Sequence, residues 1–416
     1  MNRALLLPVL LALGIAAGAS PVHAKAKDRH SRKASAARGA PQPDAASESE
    51  AELRLVEVYR LIVDANSREA LDKASALVRD HPNFQLAQLV YGDLLLLRAR
   101  PVSSVGEVPP GAAPPATEAL AELREQARLR IRAFTQRPPA NTVPSQFLQL
   151  SPGNKHAIAI DTSRARLYLF ENTPVGAKLV ADFYVSLGKL GIDKETEGDS
   201  RTPLGVYFVQ SNLDPRSLKQ FYGAGALPLN YPNPFDVRRG KSGKGIWLHG
   251  SPPQEFARAP KATDGCVVLS NPDLRKIIST VEIRTTPVVI APSLTWVAPQ
   301  ALAPRAKQFG EVIEAWHSAR QSGDAVRLLD FYARDFNAQG KTLDVLTSEI
   351  KSELAATHGR KVLLDDVSYL KWSDALDTMV VTFREGVEGR GVARIKRQYW
   401  MRDGTRWKIF FEGVIG

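Results

Sequence analysis

The sequence predicts a chain of several domains: an N-terminal α-helical module, a β-rich central domain and a C-terminal α+β domain. Three observations predict it. The hydrophobic period is helical before residue 137, shortens to two from about 144, and turns from helix to strand again after 303. Pro- and Gly-rich stretches separate the regions. The length, 416 residues, suits about two to four domains. With 24% charged and 44% hydrophobic residues, collagen-like, coiled-coil and wholly disordered chains are excluded.

Residues 1–24 read as a secretory signal. Arg3 gives a short positive start, Ala4 to Ala19 are apolar, and Val22-His23-Ala24 puts small residues at the −3 and −1 positions before cleavage. The expected location is the periplasm. No cysteine stands at the cleavage site, so a lipoprotein is not expected. No later stretch approaches the ~20 apolar residues that span a bilayer, so no transmembrane segment is expected after signal removal. Residues 25–48, rich in Lys, Arg, Ala, Ser and Pro, read as a disordered tether.

Residues 49–100 carry three helical stripes: Leu55, Val58, Tyr59 and Ile62; Ala70, Leu71, Ala74 and Leu77; Phe84, Ala87, Val90, Tyr91 and Leu94. The turn Asp80-His81-Pro82-Asn83 resembles tetratricopeptide repeats, and a plain helical hairpin reads equally well. Residues 101–116 hold five prolines and read as a linker. A helix over 117–137 follows, with Thr117 as N-cap and Leu120, Leu123, Ala127, Ile131 and Phe134 on one face.

Residues 144–292 read as the β-rich domain. Ala157, Ala159, Leu167 and Leu169 alternate around the turn Asp161-Thr162-Ser163, a hairpin, and short strands follow at 180–187, 205–210, 245–249 and 288–290. Residues 303–416 begin with helical stripes (Val312, Ala315, Trp316, Ala319; then Val326, Leu329, Phe331). Strand-like runs follow at 361–371, 377–384, 391–402 and 405–414. Two helices followed by a curved antiparallel sheet resembles the nuclear transport factor 2-like (NTF2-like) fold, a cone with an internal pocket. Trp316, Trp372, Trp400 and Trp407 lie here, and core packing is favoured for them over a ligand pocket.

Lys and Arg outnumber Asp and Glu by 55 to 44, a net charge of +11. No dense basic run concentrates it, so it steers towards polyanions without a nucleic-acid footprint. The single cysteine, Cys266, excludes zinc ribbons and any disulfide within one chain. A lone thiol in an exported protein is oxidation-prone. It is therefore a buried inert group, half of an intermolecular disulfide, or a nucleophile.

Its context favours the nucleophile. Gly245-Ile246-Trp247-Leu248-His249-Gly250 reads as a buried strand that ends in a histidine. Thr263-Asp264-Gly265-Cys266 places the thiol on a glycine turn, with an apolar strand and a helix capped by Ser270 after it. A thiol needs a base to become a nucleophile, and His is the usual one near neutral pH. Gly265 admits backbone N–H groups to a developing oxyanion.

The segment resembles the active-site signature of YkuD-type L,D-transpeptidases: a His, a loop, then Ser/Thr-His-Gly-Cys. His249 precedes Cys266 by seventeen positions, and Thr263 takes the Ser/Thr place. The resemblance covers roughly residues 150–292. Residues 197–205 and 229–233 look like substrate-loop motifs of the branch with murein-processing YafK-like proteins. The resemblance implies a β-sandwich domain acting on peptidoglycan stem peptides. Cys266 would attack the amide before the terminal D-Ala of a tetrapeptide stem, His249 would carry the proton, and the Gly250 carbonyl would orient the imidazole. The acyl-enzyme would pass to an amine or to water, with no metal or other cofactor. Arg258, Tyr231, Asn230 and Thr263 are the candidate substrate contacts, Arg258 through a bidentate carboxylate pair.

Two positions depart from the signature. Asp264 replaces its histidine, and a carboxylate there raises the thiol pKa unless a base such as Arg258 or Lys261 pairs with it. Val268 stands where many members have Arg or Asn. Arg201 is expected to brace its own loop, and His156, His317 and His358 to be structural. Glu197 and Asp199 do not make a glycosidase pair, for want of a second acid at a comparable strand end.

The expected function is L,D-transpeptidation. The alternatives are an L,D-carboxypeptidase or amidase with the same dyad, and a non-catalytic wall-binding scaffold. A thiol titrating below the free value of ~8.5 would favour an enzyme. The flanking modules are expected to target the protein or bind envelope partners.

Overall fold

Short apolar stripes broken by turns give the first module its helices, Ser49–Val63, Ser67–Asp80, Gln85–Leu96 and Pro114–Thr135. The computed structural model describes residues 49–102, 104–107, 114–357, 359–372, 377–389 and 391–415. The expected signal peptide, the tether, the middle of the linker and His358 lie outside the described residues. Leu55, Val58, Ala70, Ala74, Leu77, Ala87, Val90 and Leu94 are buried, as the stripes predict. The fourth helix starts at Pro114, so Thr117 is inside it and does not cap it. Proline's fixed φ suits a first turn, which moves the start back from 117.

This module is fastened to the central domain by a buried ion network. The Glu52 carboxylate lies 2.6 Å from Arg130 and 2.8 Å from Arg166, and Arg166 also pairs with Asp182. Burial opposes the Glu52 charge, but the two guanidiniums outweigh it and hold its carboxyl at about 2, below the ordinary 4.5. Glu52→Gln leaves two buried cations short of a partner, a loss of about 3–5 kcal/mol. A folded-state pKa below the unfolded one stabilises above the unfolded value and fades as pH falls through the folded one. Glu52→Gln is therefore expected to melt several degrees below wild type at pH 7. The gap should close as pH falls from about 4.5 towards about 2.

The central domain has a five-stranded and a three-stranded sheet over a shared core, with a short parallel pair, Leu187–Gly188 with Lys261–Thr263, besides. The larger runs Gly176–Tyr184, Arg166–Thr173, His156–Asp161, Pro287–Ala291, Gly205–Phe208. The first three form an antiparallel meander. Pro287–Ala291 is parallel to His156–Asp161, with Val288 opposite Ile158, and antiparallel to Gly205–Phe208. Ala157, Ile158, Ala159 and Ile160, like Val288, Val289 and Ile290, are fully buried, which fits continuous apolar runs rather than alternation. The smaller sheet runs Val267–Val268, Trp247–His249, Ala226–Pro228. Ser270 caps the helix Asn271–Thr280 by accepting the Asp273 N–H, as predicted.

The C-terminal region has helices Pro299–Ser322, Ala325–Leu329 and Leu343–Thr357 around a curved antiparallel sheet. Its long strands are Val362–Lys371, Thr378–Val387, Arg394–Asp403 and Arg406–Val414. Phe147–Gln149 pairs with Val362–Lys371 and becomes the fifth strand. The first residues assigned by sequence to the central domain thus cover the edge of the C-terminal sheet, where unpaired backbone groups need a partner. Val143–Pro144 pairs with Trp296–Val297. Trp316, Trp372 and Trp400 are fully buried, and Trp407 meets Phe309 edge-on at 4.9 Å, so the tryptophans pack as core. Trp372 also stitches the two domains. It meets Phe235 edge-on at 4.9 Å, and a Cβ on Gly205 would lie 2.1 Å from its ring. Among the described residues, no helix is long and apolar enough to cross a membrane.

Candidate active site

Strand register brings the candidate pair, Cys266 and His249, together. Val268 lies opposite His249 and Val267 opposite Leu248 in a parallel pair. Cys266 comes just before this strand, two residues ahead of Val268. Strand alternation then puts it on the same face as His249, diagonally across. Burial pushes the Cys266 thiol up, and the Trp247 backbone N–H, which favours the thiolate, offsets only part of that. The Asp264 charge adds to the rise, while Lys194 and Arg258 oppose it. In this state the thiol donates to the Gly245 carbonyl at 3.3 Å.

His249 is buried, and its Nδ1 lies 2.7 Å from the Gly250 carbonyl. A carbonyl only accepts, so Nδ1 carries the hydrogen and Nε2 keeps its lone pair for a proton. Burial lowers the imidazole to about 4, only partly offset by the Gly250 bond, with the Arg258 charge pushing the same way as burial. Thiol and imidazole are therefore both neutral at rest near pH 7. A proton passing between them would move only as the sulfur forms a bond, not before.

Gly265 has a reason beyond access to an oxyanion. Its φ is +117°, and a Cβ there would lie 2.6 Å from the Arg201 carbonyl oxygen. Its N–H donates to Thr263 Oγ1 (3.1 Å), and its carbonyl accepts from Thr202 Oγ1 (3.1 Å). Gly265→Ala is expected to displace the turn and cut turnover by roughly a hundredfold. Steady-state kinetics beside a thermal melt checks this, with kcat expected to fall far more than stability. Gly250 is also pinned, since a Cβ there would lie 2.1 Å from Asn271 Oδ1.

The four candidate substrate contacts divide. Thr263 is buried beneath the turn, donating to the Cys266 carbonyl at 2.7 Å. Asn230 Oδ1 accepts the Phe208 N–H at 2.7 Å, and the buried Tyr231 donates to the Ser242 carbonyl at 3.1 Å. Both line a cleft of about 610 Å³ shared with Arg397 and Tyr399 of the C-terminal domain, and His249 and Cys266 are not among the lining residues of that cleft. Arg258 stands beside the pair, its guanidinium 4.3 Å over the Phe221 ring.

Asp264 does not pair with Arg258 or Lys261. Lys189 takes it at 2.7 Å and Ser200 donates to it at 3.4 Å, which lowers the Asp264 carboxyl chiefly through the Lys189 bond. Pairing of Leu187–Gly188 with Lys261–Thr263 brings Lys189 alongside. Arg201 braces its own loop, through Nη1 on the Ile192 carbonyl and its N–H on Asp199.

Sequence reasoning missed an aromatic wall. Tyr222 meets the His249 ring edge-on at 5.1 Å, Phe221 lies 5.8 Å from it, and Trp247 is 4.9 Å from Tyr222. Phe221 and Tyr222 belong to a single 3-10 turn, Gln220–Tyr222, which is too short to leave a periodic signal in the sequence. Also missed was Lys194, buried with its ammonium on Asp199 at 2.7 Å. Among the described residues, no three or more His, Cys, Asp or Glu side chains gather where they would hold a metal ion.

Residues 155–290 match the YkuD family, an L,D-transpeptidase catalytic domain, and residues 308–413 match the Cds6 C-terminal NTF2-like domain. The chain is similar to Bd1075 of Bdellovibrio bacteriovorus at 26% identity and TM-score 0.56, over 66% of this chain and 98% of that one. It shares the fold of Pgp2, a helical cell shape determining protein of Campylobacter jejuni, at 23% identity and TM-score 0.52, over 65% of this chain and 95% of that one. No curated protein matches it.

Proposed function

We propose that this chain, with its YkuD-type L,D-transpeptidase catalytic domain at 155–290 and NTF2-like domain at 308–413, is a periplasmic cysteine acyltransferase that edits peptidoglycan. The single observation that carries this reading is the His249 tautomer. Its Nδ1 is tied to Gly250, so Nε2 is free to accept a proton on the strand face shared with Cys266. Location in the periplasm rests on the signal-like residues 1–24.

The reaction follows from these groups. Cys266 Sγ attacks the carbonyl carbon of the amide before the terminal D-Ala of a tetrapeptide stem, and His249 Nε2 takes the thiol proton. The C–N bond breaks, the imidazolium protonates the departing amine, and a thioester remains on Cys266. An acceptor amine attacks the thioester, His249 takes its proton and returns it to the sulfur. Arg258 holds the donor's carboxylate. Thr263 and Gly265 keep the nucleophile's turn in shape.

Mass spectrometry of tetrapeptide muropeptides incubated with the mature protein tests this reading. Cross-linked dimers or D-amino-acid exchange would establish the transpeptidase. Loss of D-Ala alone would make the protein a carboxypeptidase, and unchanged muropeptides would favour a scaffold. Pgp2 is a cell shape determining protein, and wall editing by this chain is assigned to cell shape in the same way. A deletion strain is expected to change shape, and unaltered morphology would contradict that assignment.

A further inference from the structure

Residues 250–262, between base and nucleophile, have little regular structure, so their course is set by what packs on them. The catalytic domain supplies part of the hold. Ser251 Oγ donates to the Phe256 carbonyl at 3.0 Å, and Tyr184 OH donates to the Arg258 carbonyl at 2.9 Å. The helical module supplies the rest. The Asn83 carbonyl accepts the Phe256 N–H at 3.0 Å, and Asn83 Nδ2 donates to the Pro253 carbonyl at 3.0 Å. Phe84 stacks on Phe256 with centroids 4.2 Å apart, and His81 meets that ring edge-on at 5.4 Å. Gln126, 2% exposed, donates Nε2 to the Arg258 carbonyl at 2.9 Å.

The Arg258 carbonyl thus has two donors, one from each domain. Fixing that peptide fixes where the side chain leaves the backbone. The guanidinium lies over Phe221, the ring that leans on His249, with its Nε 3.5 Å from the Glu255 carboxylate of the same loop. The module reaches this loop from more than 100 residues away in sequence, through Gln126 and Asn83.

We propose that Gln126, Asn83 and Phe84 are positioning residues for the reaction: the helical module clamps the 250–262 loop and so holds Arg258 beside the catalytic pair. The inference rests on Cys266 and His249 being that pair. It gives the module a task inside the chemistry, beyond targeting or partner binding.

The test is the rate of Cys266 alkylation by iodoacetamide across pH in the full mature chain, which needs no substrate. The variants are Gln126→Ala, Asn83→Ala, Arg258→Ala and the Gln126→Ala/Arg258→Ala double, each checked for an intact melt. Arg60→Ala, on the exposed face of the first helix, is the control. The charges that act on the thiol besides Arg258 are Asp264 and Lys194, and none of the variants touches them. Arg258→Ala is expected to slow alkylation several-fold at fixed pH and move its inflection upwards. Gln126→Ala and Asn83→Ala should do the same by about threefold. The double variant should be no slower than Arg258→Ala alone, and Arg60→Ala should match wild type. Wild-type rates in Gln126→Ala and Asn83→Ala, or effects that multiply in the double variant, would overturn the clamp. If alkylation responds as expected while muropeptides stay unchanged, the transpeptidase reading fails and the clamp stands.

Discussion

Cys266→Ala is expected to abolish turnover of tetrapeptide stems, a fall of at least about 10⁴-fold, while the protein stays folded. The chain has no second thiol, so nothing can substitute for the sulfur. The side chain is only partly buried, and its one donated bond goes to the Gly245 carbonyl. Loss of that bond costs little stability. Muropeptide turnover measured beside a thermal melt separates the two effects. Residual activity near wild type would move the chemistry away from this turn.

His249→Gln is expected to have the next largest effect, about 10³-fold on kcat/KM, with a changed pH profile. Burial holds the imidazole at about 4, so the proton-accepting form dominates above that pH. The acid limb of the wild-type profile should therefore fall near pH 4 rather than near the ordinary histidine value of ~6.5. In His249→Gln that limb should vanish, because no group remains to be protonated. A wild-type limb near 6.5 would mean that water reaches the imidazole more freely than its burial allows.

The raised thiol alters what alkylation says about activity. A thiol titrating below ~8.5 was the expected mark of an enzyme, yet burial pushes Cys266 up. A high inflection is thus compatible with catalysis by a neutral pair, in which His249 takes the proton only as the sulfur attacks. It no longer separates an enzyme from a scaffold. A covalent intermediate does.

Much of this site was legible because its local rules are strict. A lone cysteine after Gly265, a histidine ending the apolar run from Gly245, and Ser270 before Pro272 each carry their reason in the residue type. The same strictness made the strands of the two β-rich regions readable. Contacts between distant segments were not readable. Nothing near Asp264 in sequence points to Lys189, which a strand pairing brings alongside. Nothing near Asn230 and Tyr231 in sequence shows that the cleft they line is shared with Arg397 and Tyr399 of the C-terminal domain.

Helix boundaries shifted for local reasons. Pro114 extends the fourth helix backwards into the predicted linker, and Pro299 starts the C-terminal helix before 303. Leu343–Thr357 was missed although Leu346, Ile350 and Leu354 hold the i, i+4 spacing of a buried face. Phe147–Gln149 lies in sequence with one domain and pairs with the sheet of another, which no local pattern encodes.

The most direct measurement is intact-protein mass spectrometry of the mature chain quenched during reaction with a tetrapeptide stem. The account predicts an added mass equal to the stem peptide without its terminal D-Ala. That mass should map to Cys266, be absent from Cys266→Ala, and be lost on incubation with an acceptor amine. Turnover with no adduct on Cys266, or an adduct on another residue, would contradict it.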